Sequence, residues 1–369
     1  MSTQHRPIRL AMVAGARPNF MKIAPLLAAF NGDEEFQTVL IHTGQHYDQN
    51  MSESFFRDLR IPAPDHRLEV GSGTHAQQTA EIMRRIEPVL LHERIDGVVV
   101  VGDVNSTVAG ALVAVKMGMA VIHAEAGLRS FDRTMPEEIN RLVTDSISDL
   151  LLVTEESGRV NLLKEGRPSG QIVLVGNLMV DSLRRNLEEA LSADTLERLQ
   201  IDVQRFGLVT LHRPANVDDD QKLAEILSAV QMISEDLPLY WPVHPRTRMK
   251  INNLGLPSRI HLLEPLGYRD FLHMQAKATV ILTDSGGVQE ESTVLGTQCL
   301  TLRDNTERPV TIDSGTNRLA GTSKDSILKA WSETRDNPKT GVIPPFWDGK
   351  AGERCHDAIR AYLTSRQPA

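Results

Sequence analysis

The residues able to do chemistry in this 369-residue chain cluster just after short apolar runs. One stretch, Thr283-Asp284-Ser285-Gly286-Gly287-Val288-Gln289-Glu290-Glu291, follows a β-type run and leads into a helical pattern reaching Leu295. A strand end, two glycines and a helix start leave backbone N–H groups unpaired and let an anion come close. Ser285 adds a hydroxyl. Glu290 and Glu291 stand one turn further on, where a carboxylate can accept from a ribose or sugar hydroxyl. The pattern predicts a phosphate cradle with a hydroxyl acceptor beside it, although an ordinary strand–turn–helix junction can carry the same letters.

Other polar groups occupy similar places. Asp103 follows the run Gly97 to Val101, Glu125 follows Ala120 to His123, and Glu137 follows Pro136. His212 and His244 each end an apolar run, and Arg17, Lys22, Arg303 and Arg308 supply cations. Carboxylates gathered in a dry cleft raise one another's pKa, so one can act as acid while another acts as base. Arg308, in a loop after a strand, has the planar fork that clamps a phosphate bidentately. Each residue also has a plainer reading. Asp103 can cap a helix, Glu125 can satisfy turn amides, Glu137 and Glu138 can complement a helix dipole, and His212 can be a loop histidine.

The elements that must position these groups alternate regularly. Apolar runs with buried-strand character at 8–14, 38–42, 97–101, 120–123, 150–153 and 172–175 are separated by helical spacings such as Phe20 to Phe30 and Ala76 to Glu93. A second alternation has strands at 206–211, 239–243, 260–263, 279–283 and 299–302. Strand–turn–helix repeats of this kind predict α/β architecture with two Rossmann-like doubly wound domains. The expected division is 1–177 and 178–351, with a C-terminal helix at 352–369 able to pack back on the first domain. A single long helix is expected over Leu178 to Leu199. In open parallel sheets, ligands bind outside the carboxyl ends of the strands, so the polar groups above should converge there.

Composition narrows the partners. The net charge is −8 and aromatics are 4%, which excludes a general polyanion binder and a stacking platform for nucleic acid. Two distant cysteines, Cys299 and Cys355, form no metal pattern, and His42, His46 and Asp48 lack a helix-borne ligand spacing. No Gly-x-Gly-x-x-Gly follows the first strand, which speaks against a dinucleotide. Neither a cofactor nor a metal is expected. The polar start and the lack of a membrane-length apolar run predict a soluble cytoplasmic protein.

Several motifs occur together and in order: Gly15-Ala16-Arg17-Pro18 with Lys22, Gly102-Asp103, His123-Ala124-Glu125-Ala126-Gly127-Leu128-Arg129, and Pro136-Glu137-Glu138-Ile139-Asn140-Arg141. Gly176-Asn177, Asp181, His212-Arg213, Pro242-Val243-His244, the stretch 283–291, Arg303-Asp304, Thr306-Glu307-Arg308-Pro309 and Gly315-Thr316 follow. In these the chain resembles the non-hydrolysing UDP-N-acetylglucosamine 2-epimerases. The resemblance implies two domains facing a central cleft, as in GT-B glycosyltransferases, a homodimer, and a UDP-sugar substrate inverted at C2 without nicotinamide. It implies catalytic roles for Asp103, Glu125, Glu137 and His212. It implies UDP-sugar contacts for Arg17, Lys22, Ser285, Gly286, Gly287, Glu291 and Arg308, with Phe271 near the uracil. Gln45, Glu138, Arg213 and His244 match parts of a second, allosteric UDP-GlcNAc site. Two departures, Asn19 in Ala16-Arg17-Pro18-Asn19 and Pro214 in His212-Arg213-Pro214-Ala215-Asn216, bear on the exact sugar. A related UDP-2-acetamido sugar, or hydrolytic release of ManNAc and UDP, are the alternatives.

Overall fold

The computed structural model describes residues 6–44, 56–243, 245–252 and 259–366. The first sheet contains β1 (Ile8–Ala14), β2 (Phe36–His42), β3 (His66–Arg67), β4 (Gly97–Val101), β5 (Ala120–Ala126), β6 (Leu150–Val153) and β7 (Ile172–Leu174). They lie in the order β3-β2-β1-β4-β5-β6-β7, and each described pairing is parallel. Parallel sheets carry helices on both faces, so a central strand must be apolar on both sides. β4 reads Gly-Val-Val-Val-Val and is buried throughout.

The second sheet contains β8 (Gly207–Thr210), β9 (Leu239–Pro242), β10 (Ile260–Leu263), β11 (Val280–Thr283), β12 (Gln298–Thr301) and β13 (Asn317–Leu319). Its order, β10-β9-β8-β11-β12-β13, repeats the winding of the first. In both sheets the chain begins in the middle, winds to one edge, and returns to start the other half. The winding reverses between β1 and β4 in the first sheet, and between β8 and β11 in the second. At such a reversal the two departing loops part and leave a crevice at the strands' carboxyl ends.

Three expectations change. The helix expected over Leu178 to Leu199 is two helices, Leu178–Leu191 and Thr195–Arg198. Ser192-Ala193-Asp194 separates them, because short polar side chains compete with the helical backbone for hydrogen bonds. β3 and β13 have two and three residues, too few to show a period. β5 continues past His123 to Ala126, with a register shift against β6 between Ala124 and Ala126.

The chain forms two compact units. The first runs through Ser182 and resumes at Pro345; the second spans Leu183–Pro344. Each has its own apolar core, around Val98, Val100 and Ile86 in the first and around Trp241, Leu282 and Ile226 in the second. In the first unit, the helix Ala351–Ser365 is held at its start by Asp181. The Asp181 carboxylate accepts from the Ala351 N–H at 3.1 Å and the Gly352 N–H at 2.7 Å, satisfying amides that a helix start leaves unpaired. Gly352 also permits close packing: a Cβ there would lie 2.8 Å from the Pro25 carbonyl oxygen. Pro25 lies inside the continuous helix Arg17–Phe30 and cannot donate to Met21 four residues earlier. The Ser182 hydroxyl donates to that Met21 carbonyl instead. Among the described residues, no helix is long and apolar enough to cross a membrane.

Replacing Asp181 with Ala should strand the buried amides of Ala351 and Gly352. The expected loss is about 1–3 kcal/mol of unfolding free energy, read by urea denaturation. It should come with earlier proteolytic cleavage within 351–365.

Candidate active site

In the first unit, the site forms where β1 and β4 part. Asn19 turns inward and is buried. Its Oδ1 accepts from the N–H groups of Gly15 and Ala16, each at 3.1 Å, and its Nδ2 donates to the Val101 carbonyl at 3.0 Å. Asn19 thereby ties the loop after β1 to the end of β4. Lys22 lies one turn further along the helix and is buried, its ammonium paired with Glu125. Gly102 has φ +66°, and a Cβ there would lie 2.9 Å from Lys22 Nζ. Glycine at 102 therefore serves both the left-handed backbone and the approach of the lysine. Glu125 sits at the β5 register shift with φ +70°, a conformation non-glycine residues rarely adopt. Lys22, Gly102 and Glu125 are thus brought together, with Asp103 next in the chain.

Asp103 caps no helix: the following helix, Asn105–Lys116, starts from Val104 without a side-chain cap. Its carboxylate instead accepts from Arg141 Nη1 at 2.5 Å, and its backbone carbonyl accepts from Asn140 Nδ2 at 2.9 Å. Arg141 also donates through Nε and Nη2 to Glu138, at 2.9 and 2.6 Å. Glu138 was expected at a second ligand site. It is buried and accepts three further bonds, from the Ser130 N–H, the Ser130 hydroxyl and the Phe131 N–H. Burial would raise the Glu138 pKa, but Ser130 and Arg141 hold it below the usual carboxylate range. These bonds fasten the loop after β5. Glu137 is half-buried in the first turn of the same helix, Pro136–Ile147.

Behind these groups lies a second buried network. His123 Nε2 donates to the Gly102 carbonyl at 2.8 Å, and Nδ1 meets Asp145 at 2.6 Å. Asp145 also accepts from the Gly127 N–H at 3.0 Å and pairs with Arg129 at 2.7 Å. Burial works to raise the Asp145 pKa, but His123 and Arg129 outweigh it. This network braces Gly102, the residue before Asp103.

In the second unit, the site forms where β8 and β11 part. Ser285, Gly286 and Gly287 are half-buried at the start of the helix Gly286–Leu295, and the Ser285 hydroxyl makes no capping bond. A Cβ at Gly286 would lie 2.6 Å from Arg308 Nη1 and 3.0 Å from its Cζ. The glycine therefore lets a guanidinium pack against the helix start. Arg308 was expected to clamp a phosphate through two nitrogens. In the structure its Nε donates to Glu290 at 2.7 Å and its Nη1 to Glu307 at 2.5 Å. Arg303, at 2.8 Å, and Arg213, at 3.5 Å, also pair with Glu307. Burial pushes the Glu307 pKa up, but the three guanidiniums override it and hold it well below the carboxylate range. Three cations with two carboxylates at the positive end of a helix make a site that favours an anion.

Glu291 faces the other way. It is buried, accepts from the Tyr268 hydroxyl at 3.0 Å and from Gln275 Nε2 at 2.6 Å, and burial pushes its pKa up to about 7. Phe271 packs against the cluster containing Phe206, Tyr240 and Ile281. His212 is 60% exposed at its side chain and meets the fully buried Asp284 at 3.0 Å through Nδ1. Pro214 starts the short helix Pro214–Val217, a position where its missing N–H costs nothing. Gln45 and His244 lie outside the described residues, as does the side chain of Arg17.

The profile of the UDP-N-acetylglucosamine 2-epimerase family matches residues 28–360. The chain belongs to that family. A UDP-N-acetylglucosamine 2-epimerase of Methanocaldococcus jannaschii is 43% identical over 94% of this chain and 97% of its own length. The crystal structure of the M. jannaschii enzyme with UDP-GlcNAc and UDP superposes with a TM-score of 0.89 at 42% identity, covering 96% of this chain and 100% of that one. A UDP-2,3-diacetamido-2,3-dideoxy-D-glucuronate 2-epimerase of Pseudomonas aeruginosa is 40% identical over 88% of this chain and 91% of its own.

Within this family frame, sequence reasoning named the polar groups but missed their partners. Arg141, Asp145, Asp284, Tyr268 and Gln275 gave no local signal, because each acts on a residue 16 to 72 positions away. Asp284 was visible only as a letter between Thr283 and Ser285.

The Glu291 carboxyl, near 7 when folded against an ordinary 4.5, keeps its proton where the unfolded chain has lost it. Its contribution to stability is therefore full below about pH 4.5 and is lost as pH rises through about 7. Glu291→Gln should gain stability relative to the parent across that window, by up to about 3 kcal/mol. Urea unfolding at pH 5 and pH 8 measures this, and parallel curves would contradict it.

Proposed function

We propose that the protein is a non-hydrolysing UDP-N-acetylglucosamine 2-epimerase that interconverts UDP-GlcNAc and UDP-ManNAc. The observation that carries the reading is near-full-length similarity, at 43% identity, to a UDP-N-acetylglucosamine 2-epimerase, joined to an acid-rich first site and a cation-rich second one. In this reading a base takes the C2 proton as UDP leaves C1 by anti elimination, giving 2-acetamidoglucal. UDP then adds back at C1, and a proton returns to the opposite face of C2.

Asp103, Glu125 and Glu137 serve the proton transfers, with Lys22 compensating the charge of Glu125. His212 serves as a further acid or base. Ser285, the N–H groups of Gly286 and Gly287, and the cluster around Arg308 hold the diphosphate. Glu291 accepts from the ribose once Tyr268 and Gln275 share it. Retaining UDP in place between the two half-reactions is what the anion site contributes. The protein acts as a homodimer in the cytoplasm, which light scattering and fractionation would test.

A second substrate is favoured by the 40% identity to the P. aeruginosa diacetamido-glucuronate epimerase. Incubation of each UDP-sugar in deuterated water, followed by NMR, separates the two. Deuterium at C2 and a UDP-GlcNAc/UDP-ManNAc mixture are expected for UDP-GlcNAc; exchange confined to the diacetamido acid would transfer the assignment. Stoichiometric free UDP with ManNAc would indicate hydrolysis. Asp103→Asn should lower turnover about 100-fold or more with UDP binding kept. Near-normal turnover would remove Asp103 from the catalytic set.

A further inference from the structure

Asp284 is the residue between β11 and the phosphate-holding turn, and its side chain is wholly buried. It accepts from four donors, all within 212–216. The His212 N–H lies at 3.1 and 3.2 Å from its two oxygens, and the Arg213 N–H lies at 3.0 Å from Oδ2. Asn216 Nδ2 lies at 3.2 Å from Oδ2, and His212 Nδ1 at 3.0 Å from Oδ1. Arg213 Nε adds a bond to the Asp284 backbone carbonyl at 3.0 Å, and Asn216 reaches on to the Leu302 carbonyl at 3.1 Å. One side chain therefore pins the whole loop after β8 to the turn after β11, across the reversal of the second sheet.

We infer that Asp284 is a positioning residue that sets the tautomer and direction of the His212 imidazole. A carboxylate already accepting three N–H groups can only accept from Nδ1, so Nδ1 carries a proton. Nε2, on the far edge of a ring that is mostly exposed, is the nitrogen turned outward for acid–base work. Asparagine at 284 would set an NH₂ among donors and invite the imidazole to accept at Nδ1 instead, moving its proton to Nε2. This inference rests on the epimerase reading for the use made of Nε2, but the tautomer itself is read without turnover.

The test is two-bond ¹H–¹⁵N NMR on the full-length protein with ¹⁵N-histidine at pH 8, with His212 assigned by its loss in His212→Asn. The parent should show His212 as the Nδ1–H tautomer, and Asp284→Asn should shift it to mostly Nε2–H. In the same variant kcat should fall about 10- to 100-fold, with UDP affinity unchanged within about twofold. A parent His212 in the Nε2–H form would overturn the inference even if the variant does not fold. So would an unchanged kcat in Asp284→Asn, or a loss of UDP affinity matching the loss of kcat. A parent with the Nδ1–H tautomer but no exchange at C2 would sink the epimerase reading and leave the role of Asp284 standing.

Discussion

A carboxylate taken out of water stays charged only where other donors replace the water it loses. The working loops of both units are built on that requirement. Glu138 takes the amides of Ser130 and Phe131, Asp145 that of Gly127, Asp284 those of His212 and Arg213, and Asp181 those of Ala351 and Gly352. Loops leaving a parallel strand carry amides that no ladder satisfies. Here an acid 7 to 171 residues away satisfies them. Each bond serves both parties: the carboxyls of Glu138, Asp145 and Asp284 are held below their usual range despite burial, and the segment is held to one conformation. Groups that must meet reacting atoms within tenths of an ångström need supports of this kind.

The two units share a winding but divide the charge. The first gathers acids at its reversal and places a single buried lysine among them. The second gathers guanidiniums at a helix start, where a cation is ordinarily disfavoured. Glu290 and Glu307 make that arrangement tolerable, and Gly286 supplies the room for it. An arriving diphosphate would bring the negative charge this corner lacks.

Much of this was legible in the chain. The apolar runs of β4 and β6 were readable because strands buried on both faces are continuous, not alternating. The break at 192–194 and the shortest strands were not, since two or three residues carry no period. At the site, Asp103, Glu125 and His212 could be placed at strand ends by alternation alone. What could not be read was which acid serves structure. Glu137 and Glu138 are adjacent letters, yet Glu138 is buried under five donors while its neighbour stays half-exposed. The distinction comes from Arg141, one turn along the same helix, and from the Ser130–Phe131 loop folding back onto Glu138. Likewise nothing in the local sequence showed that Asn19 makes three hydrogen bonds tying the loop after β1 to the end of β4.

Glu125 occupies a left-handed backbone conformation at the register shift of β5. Such a residue costs on the order of 1 kcal/mol, and glycine would relieve it. Glycine would also leave the buried Lys22 ammonium without its carboxylate, a loss of about 3–5 kcal/mol that exceeds the relief. A screen for thermostable variants that scored folding alone would therefore keep the strained glutamate, because the ion pair it completes outweighs the backbone it distorts.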